Sequence, residues 1–372
     1  MMEPHMEDAG LRRRLMTLEF WRDLLLLLTL AVTGLVYGAG FLVPLTFAAL
    51  VVVLLNAVAD RVSAIPLAGQ FVPLWLANVI GILLVLFGFA VIALILSSQA
   101  DGVAETIPRY AERLEAILAS LVSLVGEENA LEVRQVLQEV DMSGWALGAL
   151  GSAGGFLSGF LLVMLYIPFM MVETGPMGRK LRIAAPNRRA AAEISKITRS
   201  ISRGLQRYIG VKTFVSLLTG LFSYAVMKPM GLDFAETWAV LAFALNFIPS
   251  IGSVLGVVLP AIVALVQFDT ITPFLVIVLG CGTVQFSIGN ILEPAIFGRS
   301  LNLSPFLVIL ALTFWTAVWG VAGALLSVPI MVGFLIVFAH IPCMQWLAIL
   351  MSGDGDLSGI MEIDEEERAV RA

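Results

Sequence analysis

The chain has 372 residues, of which 59% are hydrophobic and only 13% charged, with a formal net charge of −6. That charged share is about half the share found in soluble domains, and no soluble core of this length hides so much apolar surface. The composition excludes an ordinary soluble enzyme and a nucleic-acid partner, and it predicts an all-α polytopic membrane protein whose first partner is the lipid bilayer.

In chain order, Arg12, Arg13 and Arg14 precede the first apolar run. The arrangement looks like a signal peptide, but no small-residue cleavage pattern follows and a second apolar run comes at once, so the first span is retained. Apolar runs cover Leu24–Gly38, Phe41–Val58, Leu74–Ser98, Gly155–Val172 and Tyr208–Met227, then Phe234–Gln267, Ile271–Ile291 and Pro305–Ala339. Together they predict about eight membrane segments.

The polar stretches set the orientation. Asp101–Asp141 holds nine acidic residues against three arginines, whereas Thr174–Arg207 holds nine basic residues against Glu193 alone. Loops rich in Lys and Arg stay cytoplasmic. Four spans separate the arginines at 12–14 from the basic stretch, so both fall on the cytoplasmic side and the acidic stretch lies outside. The expected division is a cytoplasmic N-terminus (1–23), three scaffold spans (24–100), an extracytoplasmic amphipathic segment (101–150) and a fourth span (151–173). A basic amphipathic linker (174–207), a transport region with two hairpins (208–340) and an acidic cytoplasmic tail (341–372) complete it.

Within the linker, Ile194, Ile197, Ile201, Leu205 and Tyr208 recur at helical spacing, with Arg199, Arg203 and Arg207 on other faces. Either a helix lying on the anionic leaflet or a solvated positive loop accounts for this. The outer segment carries a comparable stripe of Ile107, Tyr110, Leu114, Ile117, Leu121 and Val125, which needs a partner. Gly151, Gly155 and Gly159 are a packing device.

The sixth run is interrupted. In "ALNFIPSIGSVLGVVLPAIVALVQ", Ala244–Gln267, Pro249 removes a backbone donor and Asn246 puts an amide where a span should hold aliphatic side chains. Phe234–Gln267 is too long for one span, and its two limbs are short for two crossings. A re-entrant hairpin fits, and irregular backbone at membrane depth survives only against protein or a water-filled cavity. The last run shows a related pattern, with Gly320 and Gly323 as hinge and Pro329 nine residues beyond Gly320. Paired interruptions of this kind point to a transporter binding site. Between the hairpins lie Gln285, Asn290 and Glu293. The expected solute site is Asn246, Pro249, Ser250, Gly252, Gln285 and Asn290, with Glu293 exchanging a proton or sodium. The competing possibilities are an interfacial Glu293–Arg299 pair and a Gln285 that only packs.

"NFIPSIGSVLGVVLP", "GNILEPAIFGRSLNLSP", "LLNAVADRV" and the Trp-Gly, Gly, Pro pattern ending at Pro329 resemble the autoinducer-2 exporter family of bacterial inner-membrane transporters. Ser253 departs from the proline often found there. The resemblance implies a bacterial inner-membrane location, homo-oligomers (pentamers), export of a small molecule, and an elevator in which a hairpin-bearing domain slides against an oligomeric scaffold. Some members of the family look like sodium or lithium/proton antiporters. An ion channel is the alternative class, but no pore ring of charge or carbonyl filter is evident. An intramembrane enzyme would need a nucleophile with its base or a metal set. Neither is evident, and no cofactor is expected. The absence of a P-loop leaves ATP-driven pumping to another subunit.

Overall fold

A computed structural model of the chain describes residues 4–63, 66–67, 70–125, 142–297 and 303–358. Those residues are almost entirely helical, and seven of the helices are long and apolar enough to cross a membrane. The polytopic all-α architecture expected from composition is what forms.

Helices α1 (Pro4–Tyr37) and α2 (Ala39–Ser63) meet at Gly38. A two-stranded antiparallel turn, Pro66–Leu67 with Gln70–Phe71, leads to α3, Leu74–Val125. At 52 residues α3 is about 78 Å long, more than twice the ~30 Å apolar layer. The change of polarity at residue 101 is therefore a change of solvent and not the end of a helix. Residues 126–141 lie outside the described residues.

The basic stretch behaves in the same way. Helix α4 (Met142–Ala184) and helix α5 (Arg188–Met227) absorb it from both ends, leaving only a bend at 185–187. Asn187 caps α5 by accepting the N–H of Ala190 at 2.8 Å. Neither a leaflet-bound helix nor a solvated loop describes the end of this segment. Ile201, Leu205 and Tyr208 pack on protein, against Val328, Val332, Leu335 and Ile336 near the C-terminus. Of the two cysteines, Cys281 is buried and Cys343 is exposed, in the short turn Pro342–Met344 beyond the last long helix.

The first hairpin consists of α6 (Ala235–Leu245) and α7 (Ile251–Gln267), joined by the break at 246–250. Its two ends close on each other at the base. The Asp233 N–H donates to Gln267 Oε1 at 2.8 Å, and Gln267 Nε2 donates to the Gly231 carbonyl at 2.8 Å. Chain reversal at the tip depends on glycine, because a Cβ at Gly252 would fall on the carbonyl oxygen of Leu245.

Helix α8 (Ile271–Ser287) runs back through a π-turn, Ile288–Leu292, into the short α9, Glu293–Phe297. Pro294 has no N–H to donate into a regular ladder, and the N–H of Glu293 instead reaches back to the Ile288 carbonyl.

Helix α10 (Pro305–His340) is broken at Gly320, whose φ of 60° and ψ of −140° reverse the chain. Residues 305–319 and 321–340 are antiparallel limbs. A Cβ at Gly323 would fall on the carbonyl oxygen of Trp315, and Leu312 packs against Ala324. This is the expected second hairpin, with Pro329 buried in its returning limb. The short α11, Gln345–Met351, closes its open end through the Ser304 N–H, which donates to the Met351 carbonyl at 2.9 Å.

Candidate functional site

The elements converge on α5. Lys212, Ser216, Thr219 and Ser223 recur along one of its faces, and all four are buried. Polar side chains shielded from lipid must find partners within the protein; the first hairpin supplies one and α9 another. Ser216 lies eleven residues before Met227, roughly 16 Å from that end and so near the middle of a ~30 Å layer.

The tip of the first hairpin seats there. Asn246, only 4% exposed, donates its Nδ2 to Ser216 Oγ at 3.0 Å. Proline at 249 and the turn that follows leave the carbonyl oxygens of Asn246 and Phe247 without an N–H donor among the described residues. One helical turn along α5, the Lys212 ammonium meets Glu293 Oε1 at 2.6 Å. The lysine side chain is 8% exposed and the glutamate 21%, so this ion pair sits largely out of solvent. Tyr208, one turn further, stacks on Phe297 at a ring-centroid separation of 5.9 Å.

Gln285 is buried against the second limb of the hairpin. A Cβ on Gly256 would lie 2.6 Å from its Nε2, and that Nε2 has no hydrogen-bond partner. A buried amide left with an open donor faces a place where an acceptor is missing.

Of the residues expected at the site, Asn246 and Glu293 reach this polar seam, Gln285 lies buried against the hairpin's second limb, and Gly252 forms the turn behind Asn246. Pro249 and the exposed Ser250, with φ of 61°, shape the tip. Asn290 does not join. It is exposed on the π-turn and donates to the carbonyl of Phe286 at 3.2 Å. The partner of Glu293 is Lys212, and Arg299 lies outside the described residues. Gly320, Gly323 and Pro329 belong to the second hairpin, whose tip touches the first where Ile248 packs with Leu312 and Ala324.

Sequence reasoning missed Lys212, Ser216 and Thr219. The signal was present: a lysine four residues after Tyr208 in an otherwise apolar run, followed by hydroxyls at helical spacing, marks a face turned from lipid. Among the described residues no group of three or more metal-ligating side chains occurs.

At its base the same hairpin is tied to α3. Tyr110 donates to Asp233 Oδ2 at 2.6 Å, Arg113 pairs with Asp269, and Gln99 Nε2 reaches Glu236 at 3.3 Å. Burial, and the bond to Asp233, hold the Tyr110 hydroxyl well above its usual pKa. Lys228, 2.6 Å from Glu236, is likewise held above the usual lysine value by that carboxylate. Beside this latch lies an apolar cavity of about 240 Å³ between Val103, Thr106, Phe234, Trp238 and Val266.

The model of the AI-2E family transporter matches residues 25–342. The AI-2 transport protein TqsA of Escherichia coli (strain K12) is 29% identical over 331 residues, covering 88% of this chain and 93% of its own length. A Borreliella burgdorferi chain named "Putative transport protein" is 31% identical over 269 residues, 71% of this chain and 73% of its own.

Proposed function

The chain belongs to the AI-2E transporter family, and on that premise we propose that it is a secondary transporter exporting a small hydroxylated solute of the autoinducer-2 class across the bacterial inner membrane. The observation that carries this reading is the first hairpin: a helix broken at mid-membrane whose buried Asn246 meets α5 one turn from the Lys212–Glu293 pair. Broken helices expose backbone groups that an intact helix keeps for itself, and such groups bind solutes and ions.

Asn246 and Gln285 recognise the solute. An amide both donates and accepts, which suits hydroxyl groups, and the open Nε2 of Gln285 takes a solute oxygen. Glu293 couples transport to an ion gradient. A hairpin-bearing unit moves against a scaffold of early helices, and homo-oligomers, as pentamers, assemble through that scaffold. Its lipid-exposed residues, among them Leu30, Leu83 and Phe87, leave ample apolar surface for subunit contact. Both termini face the cytoplasm.

The test is transport of autoinducer-2 by the purified protein in liposomes, with imposed proton or sodium gradients. Gradient-driven transport is expected in wild type and is abolished in Glu293→Gln with assembly intact. Conductance without saturation would instead indicate a channel.

A further inference from the structure

A carboxylate in a membrane transporter invites an alkali cation, yet here its near oxygen is already occupied. Lys212 Nζ lies 2.6 Å from Glu293 Oε1, and both side chains are largely withdrawn from solvent. We infer that Lys212 is a tethered cation which stands in the place of sodium and links Glu293 to the tip of the first hairpin, so that a proton is the coupling ion. The inference rests on the transport reading above and narrows it.

Three observations carry it. First, an ammonium in contact with the carboxylate repels a second cation at short range in a medium of low dielectric.

Second, one turn along α5 from the pair the packing is largely apolar. Tyr208 stacks there on Phe297, and Arg203 and Arg207 are the charged residues of the same helix nearest to it. Helix α2 presents Leu50, Val53 and Leu54 to this region, and the returning limb of α10 presents Val328, Val332 and Leu335. His340, at the end of α10, shares its Nδ1 with the Ile336 carbonyl of its own helix, and its buried Nε2 has no partner among the described residues.

Third, Lys212 has somewhere else to go. Ser216 is one turn, about 6 Å, nearer the hairpin tip on the same helix face. The tip there offers the carbonyl oxygens of Asn246 and Phe247, which lack an N–H donor among the described residues.

A proton arriving from water on the Glu293 carboxylate neutralises it and leaves the single positive charge on Lys212. An unpaired ammonium in this setting is unfavourable. It swings to the tip carbonyls and competes with the Asn246–Ser216 bond that seats the hairpin. Loss of the proton restores the ion pair and reseats the tip. Proton occupancy and hairpin position are thereby the two faces of one equilibrium.

Two measurements on the full chain in detergent test this without any solute. In thermal unfolding at constant ionic strength, NaCl, LiCl and choline chloride should give wild type one common midpoint. Lys212→Met vacates the cation position and should acquire a midpoint that rises with each tenfold step in NaCl. Lys212→Met/Glu293→Gln should lose that rise. In a background with Cys281 and Cys343 replaced by alanine, spin labels at Ile251→Cys and Leu217→Cys, both exposed positions, report the distance from tip to α5. That distance should shift as pH falls in wild type. It should stay at its low-pH value in Glu293→Gln, and lose its pH response in Lys212→Met.

A sodium-dependent midpoint in wild type that Glu293→Gln abolishes would overturn the proposal. So would a sodium-insensitive Lys212→Met whose tip still responds to pH. Failure of solute uptake in liposomes would count against the transport reading alone, since neither measurement uses solute.

Discussion

The two hairpins share a backbone and differ in everything their tips carry. In each, a glycine just past the reversal leaves no room for a Cβ, because the carbonyl oxygen of Leu245 or of Trp315 occupies that place. The first tip then presents Asn246, Pro249 and Ser250 and meets a polar face of α5. The second presents Trp315 and Trp319, whose rings lie 4.8 Å apart, and Trp319 Nε1 donates to the Leu35 carbonyl of α1 at 2.9 Å. One reversal leaves backbone carbonyls bare, and the other seals itself with indoles against a neighbouring helix. The reversal is thus a structural device that implies no chemistry alone; function enters with the side chains that the reversal places at depth.

The largest effect should come from breaking what the hairpins share. Gly252→Ala and Gly323→Ala each put a methyl group on a carbonyl oxygen, and each should cost about 3 kcal/mol or more, at the upper end of overpacking. Gly282→Ala, with nothing within 4 Å, should stay within about 0.5 kcal/mol. Denaturant titration in detergent compares the three. If Gly323→Ala proves as mild as Gly282→Ala, the second reversal is not the close-packed turn described.

The next effect separates the two tips. Asn246→Leu removes the bond to Ser216 and should weaken solute binding by about 1–2 kcal/mol, roughly five- to thirtyfold. Trp319→Phe removes the bond to Leu35 and should cost about 1 kcal/mol of stability while leaving solute affinity unchanged. Equal loss of affinity in both would erase the division between a recognising and a sealing hairpin.

Smaller effects belong to the latch between α3 and the base of the first hairpin. Tyr110→Phe should cost about 1 kcal/mol and raise amide hydrogen exchange at 231–236. Arg113→Ala should cost less than about 1 kcal/mol, because Asp269 is exposed, and the difference should shrink in high salt. Orientation is checked by labelling: externally added thiol reagent should label a cysteine at Glu128 and spare one at Arg189. Glu128 lies outside the described residues, so this is a test of sidedness drawn from charge alone.

The hairpins were legible because proline, glycine and an amide interrupt apolar runs, and those residues act through the backbone wherever they fall. Element ends at 101 and 207 were not. Hydropathy records which solvent a helix passes through, and α3 and α5 pass from one solvent to another without interruption. Asn246, Gln285 and Glu293 were found as polar residues in apolar sequence, but the charged partner considered for Glu293 was its chain neighbour Arg299. Lys212 is 81 residues from Glu293, and no local pattern joins them. Asn290 was misplaced because it was taken as one more polar residue in an apolar run, whereas the i, i+5 spacing already turns it about 140° from Gln285 on a regular helix.

That π-turn has a further consequence. A π-turn takes up one residue more than an α-helical path of the same course, and in a regular helix one residue is worth about 100° of azimuth. Deleting Gly289 would therefore let a regular α-turn replace the π-turn and leave Glu293 at nearly its present bearing toward Lys212. A relative one residue shorter between Gln285 and Pro294 would stay in phase with this chain at the carboxylate by giving up the π-turn.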